Sequence, residues 1–205
     1  MNVTELKNVT ELREHDPKRF EKEYYKWCEH TPDYDWWDYI EENFKRNCNA
    51  VGVRVDKITF SGFYSQGDGA AFTGRVDVYQ WMESKGHHIT HPAAYLACRD
   101  DGSYVSLETV RGNNMRASIE EWANQTAPSG MFAGLDQEAW EELVDEQISD
   151  LNIEDEVLSF CDDLAQELYT SLRDEYEHLT SEEMFIEHCE ANEITFEENE
   201  DAIPA

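Results

Sequence analysis

The densest group of residues able to do chemistry is ITFSGFYSQGDGAAFTG, Ile58 to Gly74, where four glycines (Gly62, Gly67, Gly69, Gly74) interleave with Ser, Gln and Asp. A hairpin needs one or two glycines, and further ones admit positive φ or close backbone approach. The loop could therefore cradle an anion or small ligand at Tyr64, Ser65, Gln66, Gly67, Asp68 and Gly69, or present Tyr64, Gln66 and Asp68 to a partner. The alternative is a bulged hairpin whose Ser and Asp side chains cap their own backbone. The lysine of a GxxxxGK[ST] phosphate loop is missing, and the segment does not read as a strand-to-helix GxGxxG turn.

Three histidines, His87, His88 and His91, fall within five residues. Two imidazoles at i and i+4 on a helix could hold a transition metal, but Pro92 argues against a regular helix and no carboxylate stands at ligand spacing before Asp100. A solvated loop without metal is expected there. Asp150 to Asp155 lacks the glycine of a calcium loop at position six, and Cys161 stands where position twelve needs Glu. The five cysteines, Cys28, Cys48, Cys98, Cys161 and Cys189, are odd in number and show no CxxC spacing, so reduced thiols are expected rather than disulfides. With no GxSxG, HExxH or kinase signature, no residue presents itself as catalytic and no cofactor is implied.

Charge is the other chemical resource. The 205 residues hold 46 Asp+Glu against 16 Lys+Arg, a net charge of −30, which argues against direct binding to nucleic acid or anionic membrane. Residues 134–205 carry 25 of the acids and one base, Arg173. If roughly 60 of those residues are helical, they give one carboxylate per about 3.6 Å, against one phosphate per about 3.4 Å along a DNA strand. Such a field can stand in for a phosphate backbone, and Glu141, Glu142, Asp145, Asp162, Asp163, Glu167, Asp174 and Glu175 are the candidates to present it.

The elements that must position these groups follow from periodicity. Asp16-Pro17 starts a helix through Phe20, Tyr24, Trp27 and Cys28, and Thr31-Pro32-Asp33 is expected to restart a second through Trp37, Ile40, Phe44 and Cys48. The tandem NVTELK/NVTELR at the start reads as a short helix. From Val51 the pattern turns to strand, and the Gly-rich loop joins it to a returning strand running through Ala70, Phe72, Val76, Val78, Tyr79 and Trp81. A second hairpin is expected from Tyr95–Arg99 and Tyr104–Thr109 around Asp101-Gly102. Ser118 and Glu121 suggest a capping box opening a helix with Ile119 and Trp122 inward, and 126–134 reads as a linker. Two long amphipathic helices follow, then a third from a Thr180/Glu183 capping box, with a frayed tail from Phe196. The fold class is α+β: N-terminal helices, a central antiparallel sheet of two hairpins, and acidic C-terminal helices. Residues 1–133 form a body and 134–205 an acidic segment, either projecting from it or packed on it as one domain.

The motif from Phe60 to Gly74 resembles FSGF[WY]SQGDGAxFxG of a family of small acidic proteins of tailed bacteriophages, mostly uncharacterised. The resemblance extends to Trp36–Lys45 and to Leu168–Phe196, which is similar to the family's LYxxLExEYExLTSDE-like helix. It implies an origin, and for some members an antitoxin-like label, without catalytic residues. The resulting expectation is a phage accessory protein in the host cytoplasm that inhibits a host nucleic-acid-handling or defence protein through its acidic surface. The alternatives are a small-ligand or nucleotide-binding module at the Gly-rich loop and an antitoxin-like neutraliser of a basic toxin. The first twenty residues are too charged for a signal peptide, and a monomer and a homodimer through the Trp-rich helices are both compatible with the pattern.

Overall fold

A computed structural model describes residues 6–99, 103–121, 132 and 134–197. In chain order the elements are β1 (Leu6–Lys7), α1 (Val9–His15), α2 (Pro17–Cys28), α3 (Asp38–Ala50), β2 (Val53–Phe60), β3 (Ala70–Asp77), α4 (Val78–Lys85), α5 (His87–Thr90), α6 (Pro92–Cys98), β4 (Tyr104–Arg111), β5 (Asn114–Glu121), α7 (Gln137–Leu151), α8 (Ile153–Leu179), α9 (Glu182–Ala191) and β6 (Phe196–Glu197). The fold is α+β. The chain forms two compact units, residues 37–171 and residues 1–36 with 172–205. The expected boundary at 133 adjoins Trp122–Met131 and Ala133, which lie outside the described residues.

In the first unit β2, β3, β4 and β5 make a four-stranded sheet in that spatial order, antiparallel throughout. One face buries Val53, Phe72, Val76, Val105 and Leu107. Helix α3 packs there, with Phe44 edge-on to Phe72 at 5.4 Å between ring centroids. Helix α8 turns Val157, Cys161, Ala165 and Leu168 inward at three- and four-residue spacing, as an amphipathic helix must. The other face leaves Arg54, Arg75, Glu108, Arg116 and Ser118 exposed. In the second unit, Val9, Leu12, Phe20, Phe185 and Cys189 form the core, lined by Tyr24, Trp27, Ile194 and Phe196. Tyr24 Oη donates to the Thr180 carbonyl at 2.6 Å.

Several expectations are corrected by caps and partners. Of the NVTELK/NVTELR tandem, the second copy forms α1, because Asn8 and Glu11 make a reciprocal capping box, while Leu6–Lys7 of the first pairs with Phe196–Glu197 as a two-stranded ribbon. The tail is thus paired through Glu197. The second helix begins at Asp38, after a tight Tyr34–Trp36 turn, rather than at Thr31. The returning strand ends at Asp77, whose carboxylate accepts the Gln80 N–H at 3.0 Å and converts Val78, Tyr79 and Trp81 into α4.

Tyr95–Cys98 is helical, in α6, where Pro92 occupies the first turn and Gln147 supplies the cap. The partner of β4 is therefore β5, and the hairpin turns at Gly112-Asn113, with Gly112 at φ +60°, while Asp100–Gly102 lies outside the described residues. Ser118–Glu121 continues that strand instead of opening a helix, and Glu154 of α8 accepts the Ile119 N–H at 2.9 Å. The expected linker at 126–134 is described at Phe132 and Gly134 alone. The last helix is capped by Ser181, one residue beyond the expected Thr180, whose hydroxyl instead donates to the Tyr176 carbonyl.

Candidate functional site

Strands β2 and β3 deliver the Gly-rich loop. Its neck closes through the Ser61 N–H on the Gly69 carbonyl at 3.0 Å. At its tip, Asp68 N–H donates to the Ser65 carbonyl at 3.1 Å, and Asp68 Oδ2 accepts the Ser65 N–H at 2.6 Å. Gly67 holds the third position of that turn at φ +95°, where positive φ is required. Two distant residues brace the loop. Asn113 Nδ2 donates to Ser61 Oγ at 3.2 Å and to the Gly67 carbonyl at 3.3 Å, and Tyr169 Oη reaches the Gly62 carbonyl at 3.4 Å. Phe63 stacks on Phe60 at 6.2 Å and meets Tyr169 at 5.7 Å. The Asp68 side chain is therefore engaged with the loop's own backbone at Ser65, while Tyr64 and Gln66 are exposed and space opens beside Gly67.

The acidic candidates sit on two helices. Helix α7, capped by Asp136 on the Ala139 N–H, carries Glu141, Glu142 and Asp145 exposed, opposite a buried stripe of Trp140, Val144 and Leu151. Asn152, at φ 44°, separates it from α8. There Asp162, Asp163 and Glu167 are exposed in the unit of residues 37–171, whereas exposed Asp174 and half-buried Glu175 belong to the other unit. Partial desolvation, with the neighbouring Asp163 charge second, raises the Asp162 carboxyl above its ordinary value. Arg173 is held by Asp174 at 2.9 Å and by Glu177 at 3.8 Å.

The histidines form the short helix α5 and the residue after it rather than a loop. His87 packs on Trp81 at 5.1 Å, and burial, then the His91 charge, lowers its pKa. His91 takes Asp150 of α7 at 3.1 Å on Nε2 and the Thr90 hydroxyl at 2.8 Å on Nδ1. Among the described residues no group of three or more His, Cys, Asp or Glu is placed to hold a metal. All five cysteines are free. Burial pushes Cys48, Cys98 and Cys161 up to about 12 and Cys189 up to about 11, and it raises Cys28, so these thiols stay protonated at neutral pH and are poor nucleophiles.

Sequence reasoning passes over Arg54 and Arg75, which stand directly opposite each other on the open face of the sheet. Counting back evenly from the Phe60–Ala70 pair would set Arg54 against Val76. A bulge between Val55 and Lys57 shifts the register by one and brings the two arginines together. No curated protein and no solved structure matches the chain. A family model, described as a domain of unknown function (DUF8835), matches residues 36–182, which span the sheet, the Gly-rich loop and both acidic helices. The chain belongs to this DUF8835 family.

Proposed function

We propose that the protein is a phage accessory protein that acts by binding, its acidic helices docking on a basic groove of a host nucleic-acid-handling or defence protein and blocking it in the host cytoplasm. The observation that supports this reading is the charge of α7 and α8: fifteen carboxylates against the single base Arg173, with Glu141, Glu142, Asp145, Asp162, Asp163 and Glu167 all exposed. A field of that density steers a cationic partner at low salt and weakens as salt rises. Among the described residues no helix is long and apolar enough to cross a membrane.

The test is capture from host lysate on immobilised protein at low and high salt, followed by identification of what is bound. A basic nucleic-acid enzyme or defence subunit should be held at low salt, released at high salt and displaced by duplex DNA. Reversing Glu141, Glu142, Asp145, Asp162, Asp163 and Glu167 to Lys should abolish capture. Capture that is indifferent both to salt and to those reversals would sink the reading.

A further inference from the structure

We infer a second site, a cleft in the unit of residues 1–36 and 172–205 that binds a neutral, planar heteroaromatic ring of purine size. The cleft lies between α2, α9 and the stretch that leads into β6, and its volume is about 230 Å³. A dry apolar cavity of about 150 Å³ holds benzene, so this one has room for two fused rings. None of its lining residues lies within 36–182, so the site is separate both from the family match and from the exposed acids of α7 and α8.

Its apolar walls select the shape of the ligand. Trp27, Phe185, Cys189, Ile194 and Phe196 form them. Phe185 and Cys189 are buried in the core of this unit, and Trp27, Ile194 and Phe196 pack half-buried against it. Trp27 tilts against Phe185 at 5.5 Å and against the His188 ring at 5.8 Å. Aromatic walls favour a flat ring over a branched aliphatic group, because π faces gain from offset and edge contacts beyond the area they bury. The charged residues select its charge. Glu23 and Lys26, three apart on α2, are of opposite sign and cancel. The Cys189 thiol adds none, since burial and then the Glu190 and Glu23 charges push its pKa up to about 11. An anionic ring is opposed by the chain's net −30, and a cationic one meets Lys26 beside the carboxylate it would need.

Two histidines supply the hydrogen bonds. His30 Nδ1 lies 3.1 Å from the Lys26 carbonyl, which can only accept, so Nδ1 carries the proton and Nε2 of the neutral ring is an acceptor. Asn192 Nδ2 donates to the His188 carbonyl at 2.8 Å, which fixes the orientation of that amide. The same Nδ2 faces His188 Nδ1 at 3.4 Å, so there Nδ1 accepts and Nε2 of the neutral ring carries the proton. The cleft thus offers one acceptor and one donor beside aromatic walls. The edge of an adenine, with an amino donor next to a ring-nitrogen acceptor, is the complement of that pair.

The test is titration of the full chain with adenine, indole, benzoate and benzylamine, followed by calorimetry and by amide and indole N–H chemical shifts. Adenine should bind saturably in the millimolar range or below, with shifts centred on Trp27, His30, His188, Ile194 and Phe196. Indole, a flat ring with a donor and no acceptor, should bind more weakly, as should the anionic benzoate and the cationic benzylammonium. His30→Ala and His188→Ala should each weaken adenine about three- to tenfold, the scale of one net hydrogen bond, at a nearly unchanged melting temperature, because both side chains are exposed. Absence of saturable adenine binding in the millimolar range, shifts centred elsewhere, or affinity untouched in both histidine variants would overturn the site. Either charged ring binding as tightly as adenine would overturn the neutral ligand, and indole doing so would overturn the part given to the histidines. The shift map of the unaltered protein locates the ligand even if a variant folds poorly.

Discussion

Gly74 sits in the middle of β3, where a Cβ would come 2.0 Å from the Arg54 carbonyl oxygen and 3.2 Å from the Val55 Cα. Both neighbours are backbone, so nothing can rotate aside and the β2–β3 ladder must part. Gly74→Ala should therefore cost roughly 1–3 kcal/mol or more, the scale of overpacking a core, whereas Gly134→Ala, with open space around its Cβ, should stay within about 0.5 kcal/mol. Urea unfolding midpoints at unchanged m-value would check both, and a Gly74→Ala protein as stable as the parent would refute the close approach. The other glycines of the motif serve different needs: Gly67 for its positive φ, Gly62 because a Cβ there would come within 3.2 Å of the Asp68 carboxylate, and Gly69 because a Cβ there would come within 3.0 Å of the Asn113 amide. That a run of four glycines meant close approach was legible in the sequence. What approaches was not, because Asn113 and Tyr169 come from turns and helices far along the chain.

Helix α6 shows how an element can be decided from a distance. His91 precedes it without a side-chain cap, so the first N–H groups of the helix have no local acceptor. Gln147 on α7 fills the gap, its Oε1 accepting the Ala93 N–H at 2.8 Å and the Ala94 N–H at 3.1 Å. Gln147→Ala should therefore cost about 1–2 kcal/mol, as loss of a helix cap does, while Gln147→Glu, which retains the acceptor, should cost less. Hydrogen exchange at Ala93 and Ala94 is the direct reading, since their protection should fall in the alanine variant. If it does not, the cap is not what holds the helix. The same remoteness explains why Tyr95–Cys98 reads as strand from the sequence: the apolar run and the Asp-Gly after it are local signals, and Gln147 is not. An element with its own cap was legible at once, as α2 was from Asp16-Pro17, whereas the Ser118/Glu121 capping pattern fell on a strand because ladder bonds to β4 satisfied its backbone first. Of the candidate site, the exposed acids of α7 followed from helical spacing alone, and the Arg54–Arg75 pair was hidden by a one-residue bulge.

For the whole molecule, a net charge of −30 means that folding gathers like charges, and the folded state carries their repulsion. Asp162 reports it locally, since desolvation and Asp163 raise its carboxyl. A carboxyl with a folded pKa above its unfolded one binds protons more readily in the folded state, so its charge lowers stability at every pH above the folded value. That loss is relieved as pH falls through the folded value towards the ordinary 3.8. Asp162→Asn should accordingly raise the melting temperature at pH 7 and remove that share of the gain on acidification. Salt acts on the same repulsion without changing protonation. At 0.1 M the screening length is about 10 Å, larger than the separation of carboxylates one helical turn apart, so their repulsion keeps falling well above that concentration. Raising NaCl from about 0.02 to 0.5 M should stabilise the fold by about 1 kcal/mol, or 2–4 °C in a chain of this size, as thermal melts would show. Capture of a basic partner should weaken over the same range. The two slopes have opposite signs, and this separates the causes: if high salt released the partner by loosening the protein, the melting temperature would fall with the affinity, whereas an electrostatic contact loses affinity while the free protein grows more stable. A melting temperature that falls with salt would show that self-repulsion is not what limits this fold.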